Sequence, residues 1–451
     1  MATSPGTGTG TERLGRTMGL RELVAYGMIF VGPGAVVVVF GTLDALSGGT
    51  VPLVYIVATV AIAFTAMAYV WMSKAVPHAG SVFAYAGAGI GPRTGFIAGW
   101  MLMLDYLLIP ALAHLFVGIA LHSIFQPVPA WVFTVLSVTI TTALNLAGVR
   151  IAAKVTIVVL CIELVVMAAV IVSLITVLAT HGASRPALSP LVGYGGFAVG
   201  GVITAASVAV LSFLGFDGIA SFAEDNAGDP KLVGRATLVC LLVCGALLVA
   251  LAYLGALVTP VTPAEYAANS ESQGTAYYDL VRTEVSWLLS TALATAKGTG
   301  AAFAAMVAQA AASRLLFGMA RDGRLPRGLA AVSERSGSPG RATLVIAGFT
   351  VVVGAGAAAM PDGLNLLSSV VNVGALSAFT LLHASVIGYF VVRKRAAASA
   401  WHLIVPLLGA AVILAVLAGA HHTAQLVALT WLLAGLLVLA AQSRRPARAG
   451  R

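Results

Sequence analysis

The chain has 451 residues, is 59% hydrophobic and only 9% charged, and carries a formal net charge of +9. An ordinary soluble domain is about one quarter charged, and no water-soluble globule has interior enough for this much apolar chain, so the solvent these residues suit is a lipid bilayer. Cys161, Cys240 and Cys244 all fall in apolar runs, which gives no sign of a disulfide framework.

The opening stretch, MATSPGTGTGTERLGRT, is polar and lacks an apolar region followed by a cleavage site. It reads as a cytoplasmic tail, residues 1–21, and not as a removable signal peptide. A membrane-crossing helix needs about 20 apolar residues. Twelve segments qualify in chain order: 22–46, 52–75, 94–122, 129–148, 154–179, 198–222, 235–259, 286–320, 342–360, 364–391, 402–419 and 423–441. With both ends placed in the cytoplasm, the inner connections collect 22 of the 25 Lys and Arg residues. Arg185 and Arg282 then lie outside, and Lys297 is left within a span. Such an excess of basic residues marks cytoplasmic loops. Topology therefore accounts for the net charge, and no nucleic-acid partner is implied. The longest polar connection, 260–284, holds Glu265, Glu271, Asp279 and Glu284 and is expected to form a short helix on the outer face. Residues 22–391 make a ten-helix core, 392–441 add helices 11 and 12, and 442–451 form a basic cytoplasmic tail.

The first span contains Val31-Gly32-Pro33-Gly34 at its centre. Pro lacks an N–H and clashes with the preceding turn, and Gly is conformationally loose. In lipid each unpaired backbone group costs several kcal/mol, so a break there demands a reason. The sixth span supplies a twin. In GGVITAASVAVLSFLGFDGIASFAED, Gly215 interrupts the apolar run, Phe216 follows, and Asp217 comes next. An Asp at mid-depth costs about 2.5–3.5 kcal/mol unless it meets water, a partner or a helix end. Two interruptions five spans apart are the pattern of an inverted repeat of five plus five helices, here about 22–179 and 198–391. In such proteins two discontinuous helices meet at the midplane, and their loose ends bind substrate and coupling ions. A pair of kinks that only shape packing is the plainer alternative.

Longer stretches carry a resemblance. SRLLFGMARDGRLPRGLAAV (313–332) resembles the end of helix eight and its following loop in amino acid/polyamine/organocation permeases, and FLGFDGIASFAED (213–225) is similar to their helix-six signature. Residues 64–110 and 371–390 resemble the helix 2–3 and helix 10 regions of the bacterial putrescine-importer-like group. The resemblance covers nearly the whole chain. It implies an all-α integral membrane protein of about twelve helices with the LeuT-type fold, discontinuous helices 1 and 6, and two added C-terminal helices. It further implies a plasma-membrane secondary transporter, not an enzyme, that imports an amino acid or related amine by alternating access. Many relatives carry a Gly-Ser-Gly-type loop in helix one for a substrate carboxylate. Here that place reads Val31-Gly32-Pro33-Gly34-Ala35, which weakens the case for an ordinary α-amino acid.

The substrate-site candidates are Val31, Gly32, Pro33, Gly34, Asp105, Tyr106, Gly215, Phe216 and Asp217. Asp217 is suited to meet a substrate ammonium or to cap the second half-helix. Asp105 and Tyr106 lie in span three, which the resemblance places along the cavity. Phe216 and Tyr106 are expected to pack against apolar parts of the substrate. Helix five borders the sodium site of ion-coupled relatives, and several proton-driven members place a lysine there. Glu163 falls at or near that position and is a candidate proton carrier, or a structural acid. Lys297, near mid-depth in span eight, is a counter-charge for Asp105, Glu163 or Asp217, a ligand for a carboxylate, or a proton-coupling group. A free ammonium beside the pocket would repel a dicationic amine, which moves the expected substrate from a polyamine towards a zwitterion, with a putrescine-like amine as the alternative. His114 and His383 read as packed or pore-lining, and His421-His422 as solvated loop residues. No metal and no cofactor are expected. The coupling ion is expected to be H+, with Na+ left open. The expected partners are the small-molecule substrate and the lipid bilayer, with no obligatory protein partner.

Overall fold

A computed structural model describes residues 20–76, 81–147, 153–216, 230–321, 326–331, 339–394 and 399–443, and among these every regular element is helical. In chain order the helices are α1 (Leu20–Val31), α2 (Ala35–Ser47), α3 (Val51–Ala75), α4 (Ser81–Gly89), α5 (Pro92–Ile124), α6 (Ala130–Leu146), α7 (Ala153–His181), α8 (Ser189–Val192) and α9 (Val199–Ala209). They continue with α10 (Pro230–Val258), α11 (Pro263–Ala268), α12 (Ala276–Glu284), α13 (Trp287–Arg321), α14 (Gly340–Ala358), α15 (Gly363–Val386), α16 (Trp401–Ala418) and α17 (His422–Ser443). Among the described residues, eight helices are long and apolar enough to cross a membrane. Shorter apolar helices, α2 and α6 among them, stand beside them. The molecule is a multi-pass membrane protein.

The helices fall into two packed groups. α5 is the hub of one, touching α4, α6, α13, α14, α15 and α17. In the other, α10 packs on α1 and α3, and α2 packs on α9. α7 bridges them through α13 on one side and α1 and α10 on the other. Lipid chains are as apolar as leucine, so helix association in a membrane relies on close packing and interhelical hydrogen bonds. The bonds are present. Asn145 on α6 donates to Gln309 Oε1 on α13 (2.7 Å), and Gln309 donates to Thr142 Oγ1 (2.8 Å). Trp100 on α5 and Trp431 on α17 stack at 4.9 Å, and each indole N–H donates to the other residue's carbonyl. His114 is packed, with Nδ1 2.8 Å from Ser137 Oγ and Nε2 3.3 Å from Thr141 Oγ1. His383 Nε2 meets Thr65 Oγ1 at 3.2 Å.

Three local outcomes differ from the reading of the sequence. The polar connection 260–284 is not one helix on a surface. It forms α11, a 3-10 turn at Ser270–Ser272, and α12, whose Tyr277, Tyr278, Leu280 and Val281 are buried in the bundle. A short helix, α4, stands between the second and third spans, and Arg393 caps its end through Ala88 O and Ile90 O. His421 is not simply solvated, since its Nε2 lies 3.4 Å from Asp362 Oδ2.

Candidate functional site

The break in the first apolar segment is present and has a definite anatomy. α1 ends at Val31, and Gly32 takes φ +66°, a left-handed conformation that glycine adopts without steric cost. Gly32 N–H still reaches Met28 O at 3.0 Å. Pro33 has no N–H for Ile29 O, four residues back. The Ala35 N–H turns to Gly32 O (3.1 Å), so Val31 O also loses its helical donor. α2 then starts with Gly34 before it and no side-chain cap. The outcome is a pair of released carbonyls beside the positive end of a new helix.

A buried ion pair stands against this break. Glu163 on α7 and Lys297 on α13 approach with Lys297 Nζ donating to Glu163 Oε1 at 3.2 Å. Each residue is only 5% exposed. Glycine makes the approach possible. A Cβ on Gly34 would lie 2.0 Å from Met167 Cε, 2.8 Å from Glu163 Oε1 and 3.3 Å from Lys297 Cδ. A Cβ on Gly32 would lie 3.8 Å from Lys297 Nζ, and one on Gly300 3.1 Å from Glu163 Oε2. The carboxylate thus has an ammonium on one side and the amino end of α2 on the other. Of the three acids proposed for Lys297, the structure pairs it with Glu163.

The remaining candidates occupy other places. The sixth segment ends as α9 followed by a 3-10 turn, Val210–Phe213, with Gly215 at φ +102°. The N-terminal part of the twin break is therefore present, and α2 touches both α9 and this turn. Asp217 lies outside the described residues. Phe216 is fully buried against Tyr69 (centroids 5.5 Å apart) and Phe379 (5.7 Å), so protein rings cover the face expected to meet a substrate. Asp105 is buried on α5 where α15 crosses it; a Cβ on Gly374 would lie 3.2 Å from Asp105 N. Tyr106 is 40% exposed, and Pro110 deprives its carbonyl of a helical donor.

Two contributors escaped the sequence reading. Met167, one helical turn beyond Glu163, fills the space beside Gly34. Asp44, at the far end of α2, takes both prongs of Arg185, Nη1 to Oδ1 at 2.9 Å and Nη2 to Oδ2 at 2.7 Å. Arg185 also donates to Val261 O and lies over the Tyr194 ring. This fork binds α2 to the connections that follow α7 and α10. A lone acid inside an apolar run signals a partner, and Asp44 in FGTLDALS gave that signal. Among the described residues no group of three His, Cys, Asp or Glu side chains is placed to hold a metal ion.

The whole chain has relatives of known kind. It is 28% identical over 440 residues to the low-affinity putrescine importer PlaP of Escherichia coli (strain K12), covering 96% of this chain and 94% of that one. It is 27% identical over 400 residues to the branched-chain amino acid permease BcaP of Bacillus subtilis (strain 168), covering 83% and 81%. It is 26% identical over 393 residues to the vacuolar cationic amino acid transporter 4 of Arabidopsis thaliana, covering 82% and 62%. Residues 22–440 match the family described as amino acid permease. With that match over nearly its whole length, the chain belongs to the amino acid permease family.

Proposed function

We propose that the protein is a secondary active transporter that imports an amino acid or related amine across the plasma membrane by alternating access, driven by protons. In this reading it has twelve spans, both termini in the cytoplasm, and two inverted five-helix repeats. The observation that carries the proposal is the buried Glu163–Lys297 pair set against the Gly32–Gly34 break. A proton arriving at Glu163 cancels the attraction that holds Lys297. The join between α7, α13 and the broken helix then loosens, and the released carbonyls of Ile29 and Val31 stay open to a substrate amine. Loss of the proton restores the join. A group that links ion occupancy to helix packing in this way supplies the coupling an importer needs.

The substrate amine is assigned to the carbonyls of the break together with Asp217, and Asp105 and Tyr106 to the opposite wall. A dicationic amine is the second reading, and the pairing of Lys297 favours it. The objection that a lone ammonium would repel such a substrate falls away when Glu163 neutralises it. The test is uptake of labelled leucine, lysine and putrescine into proteoliposomes under an imposed pH gradient. Saturable uptake that follows the gradient is expected. Absence of gradient-dependent uptake for amino acids and amines alike refutes the proposal, and downhill flux without saturation or counterflow points to a channel.

A further inference from the structure

The first half of the sixth apolar segment tightens at Val210, ahead of the Gly215 that interrupts its sequence. α9 tightens at Val210 into a 3-10 turn, Leu214 is extended (ψ 141°), and Gly215 turns left-handed. No proline occurs between Val199 and Phe216, and Val-Leu-Ser-Phe is acceptable helix sequence. Two side chains from other helices act on the turn. Asn372 on α15 donates its Nδ2 to Ser207 O (2.6 Å) and Val208 O (3.2 Å). From the α3 side, the Tyr55 hydroxyl pairs with Ser212 Oγ at 3.1 Å. Asn372, Ser207, Tyr55 and Ser212 are each 1% exposed or less. In a continued α-helix the carbonyls of Ser207 and Val208 would serve the amides of Leu211 and Ser212. At the changeover the Val210 N–H is shared between Ala206 O and Val208 O, so the buried carbonyls here are served less well than in a continued helix, which is costly. The Asn372 amide meets the Ser207 and Val208 carbonyls and so favours the tight turn over continuation. Its Oδ1 is buried with no hydrogen-bond partner among the described residues. The donor end is therefore the end the fold uses.

We infer that Asn372 is a positioning residue: its amide, with Tyr55 from the other side, sets where α9 ends and hence where the Gly215 turn stands at the edge of the substrate site. This rests on the transport reading given above. The test uses the full-length protein in proteoliposomes. Asn372→Asp keeps the shape and removes the donor, and it is expected to raise the uptake KM about tenfold at unchanged membrane expression, the size of one lost buried hydrogen bond. Tyr55→Phe is expected to move KM in the same direction by less. Gln309→Leu removes an equally buried amide in the α6–α13 network and is expected to lower thermal stability while leaving KM unchanged. A second readout does not need transport. With Cys161→Ser, Cys240→Ala and Cys244→Ala as background, Leu214→Cys reports the turn by its rate of maleimide labelling. Adding Asn372→Asp is expected to change that rate several-fold. A wild-type KM in Asn372→Asp, or an unchanged labelling rate, overturns the inference. If no solute is taken up by the wild type but the labelling rate shifts, the transport reading fails and the positioning role stands.

Discussion

Replacing Lys297 by Met tests the central pair most directly. At 3.2 Å, two unit charges in a medium of effective dielectric constant near 20 attract by about 5 kcal/mol. Most of that offsets the cost of taking both groups out of water, so the net contribution of the intact pair is small. Removing one partner is different. Lys297→Met leaves the Glu163 carboxylate buried with only the end of α2 to favour its charge, and breaking a buried pair in this way costs about 3–5 kcal/mol. The double variant Lys297→Met, Glu163→Gln removes both charges and is expected to lie within about 1 kcal/mol of wild type. The assay is unfolding in detergent micelles at neutral pH, read as a double-mutant cycle. Lys297→Met alone should be clearly less stable, and Glu163→Gln added to it should restore most of the loss. If the two single variants and the double variant are additive, the pair is not energetically coupled and the reasoning fails. In proteoliposomes the double variant is expected to fold yet lose its response to a pH gradient.

Other expectations follow from single contacts. Gly34→Ala keeps an allowed backbone conformation but drives its methyl into Met167 Cε and Glu163 Oε1; uptake should fall by about tenfold or more from overpacking of about 1–3 kcal/mol, and Met167→Ala in the same chain should recover part of it. Asp44→Asn leaves Arg185 buried without its anion, so the melting temperature should drop by an amount corresponding to about 3–5 kcal/mol, whereas Arg185→Lys, which keeps the charge and loses the fork, should cost less. The backbone N–H of Thr262, and then its hydroxyl, hold the exposed Glu265 carboxyl below its usual range at the start of α11. A depressed pKa gives stability that is present above the unfolded value and lost as pH falls through the folded one. Hydrogen-exchange protection of residues 262–268, taken relative to the intrinsic rate at each pH, should therefore fall on acidification through the carboxylate range, and Glu265→Gln should flatten that dependence.

The sequence disclosed the features that come from local chemistry. Within the described residues the apolar segments fall on helices, eight of them long and apolar enough to cross a membrane, because length and apolarity suffice to mark them. Gly32-Pro33-Gly34 announced its break, because a missing N–H is a property of the residue itself. Glu163 and Lys297 were both visible as costly charges at depth, but three acids competed for one ammonium. The contact spans 134 residues of chain, and only the packing of α7 on α13 decides it. Asp44 is visible on the same grounds, but its partner Arg185 lies 141 residues away, and only the fold brings them together. The burial of α12 was hidden by its polar residues, although Tyr277, Tyr278, Leu280 and Val281 fall on one side at helical spacing. Asn372 gave no signal, since an amide reads the same whether it braces a neighbouring helix or faces water.

The cancellation at Glu163 and Lys297 has an electrical consequence. Moving one elementary charge across 100 mV takes about 2.3 kcal/mol, and a carrier with a bare ion at its centre would have its return stroke slowed or hastened by the resting voltage. In the transport cycle proposed above, the paired anion and cation move as a neutral couple, so their displacement adds nothing to the charge crossing the field. Currents recorded from a planar bilayer would then report the charge of the cargo and its coupled ion, with no share from the Glu163–Lys297 couple.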